Sequence, residues 1–473
     1  MKMELSNKNN AIKKMREFFI SEKFMLIQFV VAMLITVFRV EAIGVCFFTL
    51  LVSFLLLFCD DLLTTTLPFL LLTETVIKCY DSFDVFVKYV WLAFPLVIAL
   101  VFHFAFYKHK IRAGKYIYAL LVVSLSIALG GVGFISKAEY FSWVSFYYVF
   151  GLGFGMAIIY VLIYSYIDID KDYSTKDKIT NIMLFVGMLG VFMVITHYIM
   201  NIGEVIEQKS ILYLQWRNNM STFFILAMPF PIIKAVKKPS YICLPFLYYG
   251  CILLTGSRGG LLFGGIELLL TLALLICLDR KHRLTFIGFS IGLMVLAVLL
   301  LINFYPIFRP TFLRLLNALI ESDSEERSPL YRRAITDFLN RPIFGTGIAY
   351  MGNRDVHNNA KFALCWYHCE PLQIIGSLGL FGVLAYGYQL IERLHILLKP
   401  KSLFSIVVMI AYIGLELMSL VNPGVFCPLP YLFLITFFIA IVEKYKDSKK
   451  EASVKIKVDK SIEKIDEELM EIK

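Results

Sequence analysis

The amino-acid sequence predicts an all-α polytopic membrane protein with about 14 transmembrane helices (12–14) and a helical loop subdomain outside the cytoplasm. Of its 473 residues, 59% are hydrophobic and 17% are charged, and the mean hydropathy is +0.74. Soluble domains are about a quarter charged, and a helix needs about 20 apolar residues to cross a bilayer. Such runs recur from end to end, which excludes a soluble globular protein.

Five regions follow from the positions of the apolar runs. We expect a cytoplasmic segment (1–23), eleven transmembrane helices (24–304), an extracytoplasmic loop subdomain (305–371), three further helices (372–443) and a cytoplasmic amphipathic tail (444–473). The predicted spans are 24–38, 42–58, 62–79, 85–107, 116–135, 140–164, 179–200, 218–236, 241–256, 260–278, 284–304, 372–396, 402–420 and 427–443. The first apolar run lacks a small-residue cleavage site, so we expect it to be retained.

The positive charges orient the spans. The N-terminal segment contains Lys8, Lys13, Lys14 and Arg16, which predicts a cytoplasmic N-terminus. The inner connections then hold the lysine clusters at 108–115, 168–178, 234–238, 279–283 and 392–401. This distribution accounts for the net charge of +10, so nucleic acid is not an expected partner. The loop at 305–371 falls outside although it contains seven arginines, which calls for a functional explanation.

The sequence indicates neither a cofactor nor a metal site. The cysteines lie mostly within apolar runs, where they act as small hydrophobic residues, and none has zinc-ligand spacing. Asp168 and Asp170 resemble a metal-binding acidic pair, but they fall in an inner, mixed-charge connection and are interpreted as solvated. We therefore expect metal-independent chemistry, if the protein is an enzyme.

Two arginines lie at predicted outer ends of spans. Arg217 begins a span, and Arg258 follows Ser257 in a glycine-rich break between two spans. An arginine at such a place can simply extend to the lipid headgroups, which is the alternative for Arg217. Arginine also offers a fork of donors that fits phosphate oxygens and never loses its charge. Several such residues on the outer face suit a lipid-linked diphosphate.

The external loop has a predicted helix of its own. Ser328 and Pro329 are typical of a helix N-terminus, and the helix should run from Pro329 to about Asn340. Leu330, Ala334, Ile335 and Phe338 form its predicted apolar face, whereas Arg332, Arg333 and Asp337 are placed elsewhere on its surface. Arg327, Arg332 and Arg333 are candidate ligands of a phosphorylated substrate, with an ordinary solvated helix face as the alternative.

His368 directly precedes a long apolar segment on the outer side, followed by Glu370 and Gln373. An imidazole can accept a proton from a hydroxyl near neutral pH, although most single histidines are structural. His357 is the rival histidine in the same loop. Glu267 and Glu416 fall within spans and should face the protein interior, as ion sites of a transporter or as partners of an arginine.

Three segments resemble the bacterial O-antigen ligase and polymerase family. TGSRGGLLF is similar to the family's Ser-Arg-Gly at a span junction, and ERSPLYRRAITDFLNRPIFGTGIAY to its arginine, helix and Pro-x-x-Gly-x-Gly element. HCEPLQIIGSLGLFG is similar to the segment that begins His-Asn-x-x-Leu-Gln, and Arg217 to an arginine that begins an earlier span. Cys369 replaces the asparagine after the histidine, so Glu370 or Gln373 would orient the imidazole instead.

The resemblance implies a glycosyltransferase at the outer face of the bacterial cytoplasmic membrane. Its donor would be a glycan on a polyprenyl diphosphate of the undecaprenyl type, and its acceptor a second glycan. Arg217 and Arg258, aided by Arg327 or Arg332, would hold the diphosphate, and His368 would deprotonate the acceptor hydroxyl during inverting transfer. No cofactor is implied. Membrane lipid, a flippase and a chain-length regulator are the implied partners.

Four functions remain open at the level of the sequence. A polymerase of capsule or O-antigen repeat units is favoured over a ligase that transfers glycan to lipid A core, protein or cell wall. A transporter of lipid-linked oligosaccharide predicts ionisable residues near the bilayer midplane, and a membrane scaffold predicts no need for outer arginines.

Overall fold

A computed structural model describes residues 13–79, 90–108, 110–141, 144–167, 169, 174–212, 217–320, 324–348, 367–398, 402–422, 424–426 and 428–448. These residues are all-helical and contain no strand, as the sequence predicts. The helices are α1 (Lys13–Phe19), α2 (Glu22–Phe38), α3 (Glu41–Phe58), α4 (Leu63–Cys79), α5 (Ala93–Phe106), α6 (Tyr116–Ser126), α7 (Val144–Tyr148), α8 (Gly155–Tyr166), α9 (Ser174–Met200), α10 (Ile202–Gln208), α11 (Arg217–Ala227), α12 (Pro231–Ala235), α13 (Cys243–Thr255), α14 (Arg258–Leu278), α15 (Arg283–Asn303), α16 (Tyr305–Ile320), α17 (Ser324–Asn340), α18 (Glu370–Leu398), α19 (Leu403–Ser419) and α20 (433–448).

Within the described part of the chain, six helices are long and apolar enough to cross a membrane. They are Glu41–Phe58, Val149–Tyr166, Thr175–Met200, Arg258–Leu278, Arg283–Asn303 and Glu370–Leu398, and the bent pair α1 and α2 would be a seventh. Four shorter apolar helices accompany them. Each of the fourteen predicted spans overlaps a helix, but the number that cross the bilayer stays a prediction.

Local sequence signals explain several helix boundaries. Ser21, Ser257 and Ser402 each cap a helix by accepting a hydrogen bond from the backbone N–H three residues later. Gly256 ends α13 in the left-handed conformation, at φ 72°, so a single Gly-Ser step separates α13 from α14.

The predicted inner connections contact one another at one end of the helices. The carboxylate of Glu443 accepts hydrogen bonds from the backbone N–H of Lys115, at 2.7 Å, and of Tyr116, at 3.2 Å. Lys444 donates to the carbonyl of Ile167 at 2.6 Å. Other contacts join Lys176 to the Tyr445 ring and Lys234 to Asp177. We call this group the lysine-rich end.

Tyr198 contacts the segments that lead to Arg217 and to Arg258. The hydroxyl of Tyr198 lies 2.7 Å from the carbonyl oxygen of Leu254 and 3.2 Å from that of Leu212, and these leucines precede Arg258 and Arg217 respectively. We call the end defined by Arg217 and Arg258 the arginine end. The parity of the spans and the membrane face of each end stay predictions.

Helix α18 has a break that receives the glycine-rich turn predicted after α17. Gly379 lies within α18 at φ 63° and ψ −158°, and a side chain there would meet the backbone of residues 342 and 343. The N–H of Gly347 donates to the carbonyl of Ser377, at 2.9 Å. Gly345 and Gly347 both have positive φ, as expected of a tight turn. The turn therefore rests backbone to backbone on α18.

Paired cysteines test this arrangement of ends. In a cysteine-free background, Asn340→Cys and Ser448→Cys each place one thiol at an exposed position. A membrane-impermeant maleimide should label Asn340→Cys in intact cells, and Ser448→Cys only after the cytoplasmic membrane is permeabilised. Labelling of both from the same side would contradict the predicted parity.

Candidate functional site

The residue after Arg217 and the residue before Arg258 are hydrogen-bonded to each other. The hydroxyl of Ser257 donates to the side-chain carbonyl of Asn218 at 2.8 Å. One turn further along α11, Ser221 bonds to Thr255 at 2.9 Å between their hydroxyl oxygens. Helices α11 and α14 therefore begin side by side, although 40 residues separate their first residues.

Two helix N-termini, each of which begins with an arginine, therefore lie next to each other. Arg217 and Arg258 are the first residues of α11 and α14, and both side chains are half-buried. The N-terminus of a helix carries a partial positive charge and points backbone N–H groups outward, so it favours anions. Two guanidinium groups add to that potential. This arrangement suits a doubly charged phosphate group better than a neutral ligand.

Glycines allow α14 to begin so close to its neighbours. A methyl group on Gly260 would come within 2.6 Å of the Ser221 side chain, and one on Gly259 within 2.7 Å of Val421. The Ser-Arg-Gly-Gly sequence therefore fits a start that is packed on both sides.

His368 is fixed by the residue before it. The backbone N–H of Tyr367 donates to the side-chain oxygen of Gln373 at 3.1 Å, and the Tyr367 hydroxyl donates to Asp337 at 2.7 Å. Gln373 in turn donates to Ser377 at 2.8 Å. His368 itself is half-buried and has a positive φ of 51°, which is uncommon for a residue other than glycine. We call Tyr367, Asp337 and Gln373 the histidine clamp.

The clamp corrects two expectations about α17. Asp337 is 3% exposed, not on the surface, because Tyr367 covers it, and it also accepts a hydrogen bond from Arg333 at 2.9 Å. Ile335, placed on the apolar face, is 51% exposed, whereas Leu330 and Ala334 are buried as predicted. The buried face of α17 is therefore the one that carries Ala334 and Asp337, the residue bonded to Tyr367.

The start of α17 is a further correction. The helix begins at Ser324, not at Pro329, because a proline near the start of a helix removes only one hydrogen bond to its first turn. The end at Asn340 is confirmed. Arg332 is exposed, Arg333 is engaged by the clamp, and the side chain of Arg327 lies outside the described residues. His357, Asp168, Asp170 and the tail after residue 448 also lie outside them.

A segment in which the sequence shows no motif contacts the starts of α11, α14 and α18. Residues 420–422, 424–426 and 428–432, which we call the α19–α20 connection, are non-α-helical and bury Val425, Phe426 and Tyr431. Val421 packs where α14 begins, at Gly259. The N–H of Val425 donates to the Glu370 carboxylate at 3.2 Å, and the Tyr431 hydroxyl donates to the carbonyl of Asn219 at 2.8 Å.

The structure thus brings the starts of α11, α14 and α18 to one buried segment. Glu370 is buried next to the α19–α20 connection. Gly424 of that connection lies so close to Glu370 that a side chain at position 424 would meet the Glu370 carboxylate. Sequence reasoning missed this segment because it was interpreted as the end of one span and the beginning of the next. Its only signals were the turn residues in Asn422-Pro-Gly and in Pro428-Leu-Pro.

Of the two carboxylates expected to face the interior, Glu267 is buried and Glu416 is half-buried. Glu267 is buried, as predicted, and its oxygens make no hydrogen bond within the described part of the chain. Glu416 lies 3.5 Å from Arg393, which also donates to the hydroxyl of Tyr116 at 2.8 Å. Glu416 is therefore the partner of an arginine, one of the two roles expected for it. The arginine itself, in α18, was not anticipated.

An apolar groove of about 450 Å³ lies elsewhere, along α15. Thr285, Gly288, Phe289, Gly292 and Leu293 line it. None of the candidate site residues borders this groove, so it supplies no part of the arginine and histidine site.

These features define a multi-pass helical membrane protein with a polar site at one end of its helices. Residues 243–387 match the family model described as O-antigen ligase (Wzy_C). The matched part contains Ser257, Arg258, His368 and Gln373, whereas Arg217 precedes it. This confirms, for that part of the chain, the resemblance to the O-antigen ligase and polymerase family. No curated protein and no solved structure matches the chain.

Removing the hydroxyl of Tyr367 tests the histidine clamp. Tyr367→Phe leaves a buried carboxylate oxygen of Asp337 without its donor, which should cost about 1–3 kcal/mol of stability and lower glycan formation. Tyr388→Phe, at an exposed position in α18, is the matched control. Thermal unfolding of the purified proteins and the amount of glycan they make are the measurements. Equal behaviour of the two variants would show that the clamp does not hold His368.

Proposed function

We propose that the protein is a glycosyltransferase that polymerises polyprenyl-diphosphate-linked oligosaccharide repeat units of a capsule or O-antigen type. The observation that carries the proposal is the hydrogen bond between Ser257 and Asn218, because it joins the residue before Arg258 to the residue after Arg217. The α19–α20 connection contacts the starts of α11 and α14, and it also contacts Glu370, two residues after His368. The matched family model supports the general class of reaction.

The proposed reaction needs one base and one anion-binding group. The acceptor hydroxyl oxygen attacks the anomeric carbon of the donor glycan while the bond from that carbon to the diphosphate oxygen breaks. His368 takes the hydroxyl proton, and the lipid diphosphate leaves as an anion with inversion at the carbon. Because the donor already contains the activated bond, the reaction requires no nucleotide, and we propose that it requires no metal.

Arg217 and Arg258 would stabilise the charge that develops on the departing diphosphate. Such stabilisation accelerates a reaction when donors are fixed in advance at the place where charge appears. The close packing of α11 and α14 would supply that fixation, since Gly259 and Gly260 let the start of α14 lie directly against Val421 and Ser221. Arg332 is exposed on α17 and would contact the outer parts of the substrate.

Two alternatives differ in their products. The family description, O-antigen ligase, favours transfer of a finished glycan to lipid A core, protein or cell wall. A ligase would yield a single transfer at each acceptor, and a polymerase a ladder of lengths on the lipid carrier. A transporter draws support from the buried Glu74 and Glu267, but it would move substrate without forming any glycosidic bond.

Substitution of the two central residues tests the proposal. Arg258→Ala and His368→Ala should each lower extended glycan by about 100-fold or more, because each removes a group that acts in the transition state. Arg280→Ala, an exposed arginine next to Lys281, controls for the loss of one positive charge. Gel analysis of glycan length and immunoblots of protein level are the measurements. Wild-type glycan in either variant, at normal protein level, would refute the mechanism.

A further inference from the structure

Glu267 carries a buried carboxyl group that has no hydrogen-bonding partner among the described residues. It lies near the middle of α14 and is 1% exposed, and both of its carboxyl oxygens are fully buried. Glu370 and Glu443 are buried as well, but each accepts a hydrogen bond from a backbone N–H group. Only Glu74, in the part of the chain that the structure describes, is as isolated as Glu267.

An ionised carboxyl group in these surroundings would be very costly. Removing a charge from water without a partner costs far more than removing a neutral polar group, so an isolated buried acid favours its neutral form. The cost is greatest within a membrane-spanning helix that has no counter-ion at hand. A metal ion would need several oxygen ligands, whereas a proton needs only the carboxyl group itself.

The helices packed on α14 surround the carboxyl group with apolar or already bonded groups. A methyl group on Gly414 of α19 would meet both Glu267 Oε1, at 2.6 Å, and Ile225 of α11, at 2.7 Å. Glycine therefore makes room for the carboxyl group between these helices. On α13, the hydroxyl of Tyr249 donates to the carbonyl of Leu261 at 3.2 Å.

The charged residues of these helices do not compensate Glu267. On α19, Glu416 lies 3.5 Å from Arg393. Helices α11 and α15 have one charged residue each, Arg217 and Arg283, and both are the first residues of their helices. Helix α13 has none. Among the described side chains, therefore, no charged group acts on Glu267.

Thr271 is the polar residue best placed to serve Glu267. It follows one turn later on the same face of α14, is 1% exposed, and its hydroxyl makes no hydrogen bond within the described ranges. Buried threonines elsewhere, such as Thr49 and Thr180, donate to the carbonyl four residues earlier, which Thr271 does not do. Helical side chains tilt towards the N-terminus, so Thr271 leans towards Glu267. A carboxylic acid and a hydroxyl can each donate to the other.

We propose that Glu267 binds a proton among the packed helices, as a neutral carboxylic acid for which the Thr271 hydroxyl is the hydrogen-bonding partner. The site is separate from the proposed transfer chemistry, because Glu267 lies nine residues from Arg258, about 13 Å along α14. The inference goes beyond the proposed function, since its ligand is a proton and it holds whether or not the protein transfers glycans.

Infrared spectroscopy of the full-length protein detects this proton directly, because a carboxylic acid has a C=O stretching band that an ionised carboxylate lacks. The difference spectrum between the wild type and Glu267→Gln at neutral pH should contain the acid band. Glu74 is present in both proteins, so its contribution cancels. Glu207→Gln, at an exposed position of α10, is the matched control and should remove carboxylate bands only.

The pH dependence of stability is a second measurement. An unfolded glutamate is ionised at neutral pH, so unfolding would release the Glu267 proton, and stability would then fall as the pH rises. Glu267→Gln has no proton to release at this position. The melting temperature of the wild type should therefore fall relative to that of Glu267→Gln as the pH rises, corresponding to about a tenfold change in the unfolding constant for each pH unit. Glu207→Gln should follow the wild type.

Three results would overturn the proposal. The first is carboxylate bands in place of the acid band in the difference spectrum for Glu267→Gln. The second is the same pH dependence of melting temperature in that variant and in the wild type. The third is disappearance of the acid band when sodium chloride replaces choline chloride at the same pH, which would assign the site to a sodium ion.

Thr271→Val keeps the test decisive if Glu267→Gln does not fold. This substitution replaces the hydroxyl with a methyl group of similar size, so the acid should lose its hydrogen bond and its C=O band should move to a higher frequency. A carboxylic acid region identical to that of the wild type would overturn the assignment.

Discussion

The arrangement at the arginine end depends on how one buried, largely non-α-helical segment satisfies its backbone and side-chain polar groups. Inside a membrane protein, water is scarce, and an unsatisfied N–H group is costly. The α19–α20 connection meets this demand with Glu370, which accepts from Val425. The Tyr431 hydroxyl makes a second tie by donating to Asn219. Because these partners lie next to the candidate site residues, satisfying the segment also fixes the spacing of α11 and α18.

A second set of polar contacts reaches from α18 towards the lysine-rich end. Arg393 is buried, lies beside Glu416 and donates to Tyr116. The backbone N–H of Tyr116 then donates to Glu443. Buried charges are tolerated in a membrane body only when paired, and here the pairing crosses from α18 through α6 to α20. The helix that presents His368 is thus held at its far end by ionic and hydrogen-bonded contacts, and at its near end by the histidine clamp.

The sequence predicted the parts of this structure that depend on local signals. Apolar runs indicated the helices, and the Ser-Arg-Gly-Gly sequence indicated the break at Arg258. It could not predict that Asp337 is buried, because the partner that removes Asp337 from the surface is Tyr367, 30 residues later. Nor could it predict the α19–α20 connection, since Asn219 and Tyr431 are 212 residues apart. Periodicity reports which face of a helix is apolar, but not which distant group will satisfy a polar side chain.

In the proposed reaction, Arg217 and Arg258 bind one diphosphate beside His368. The decisive measurement is an experimental structure of the full-length protein with undecaprenyl diphosphate. We expect diphosphate density between the two guanidinium groups, at the starts of α11 and α14 and bordered by the α19–α20 connection. Density for the diphosphate at another place, with Arg217 and Arg258 contacting no phosphate oxygen, would contradict it.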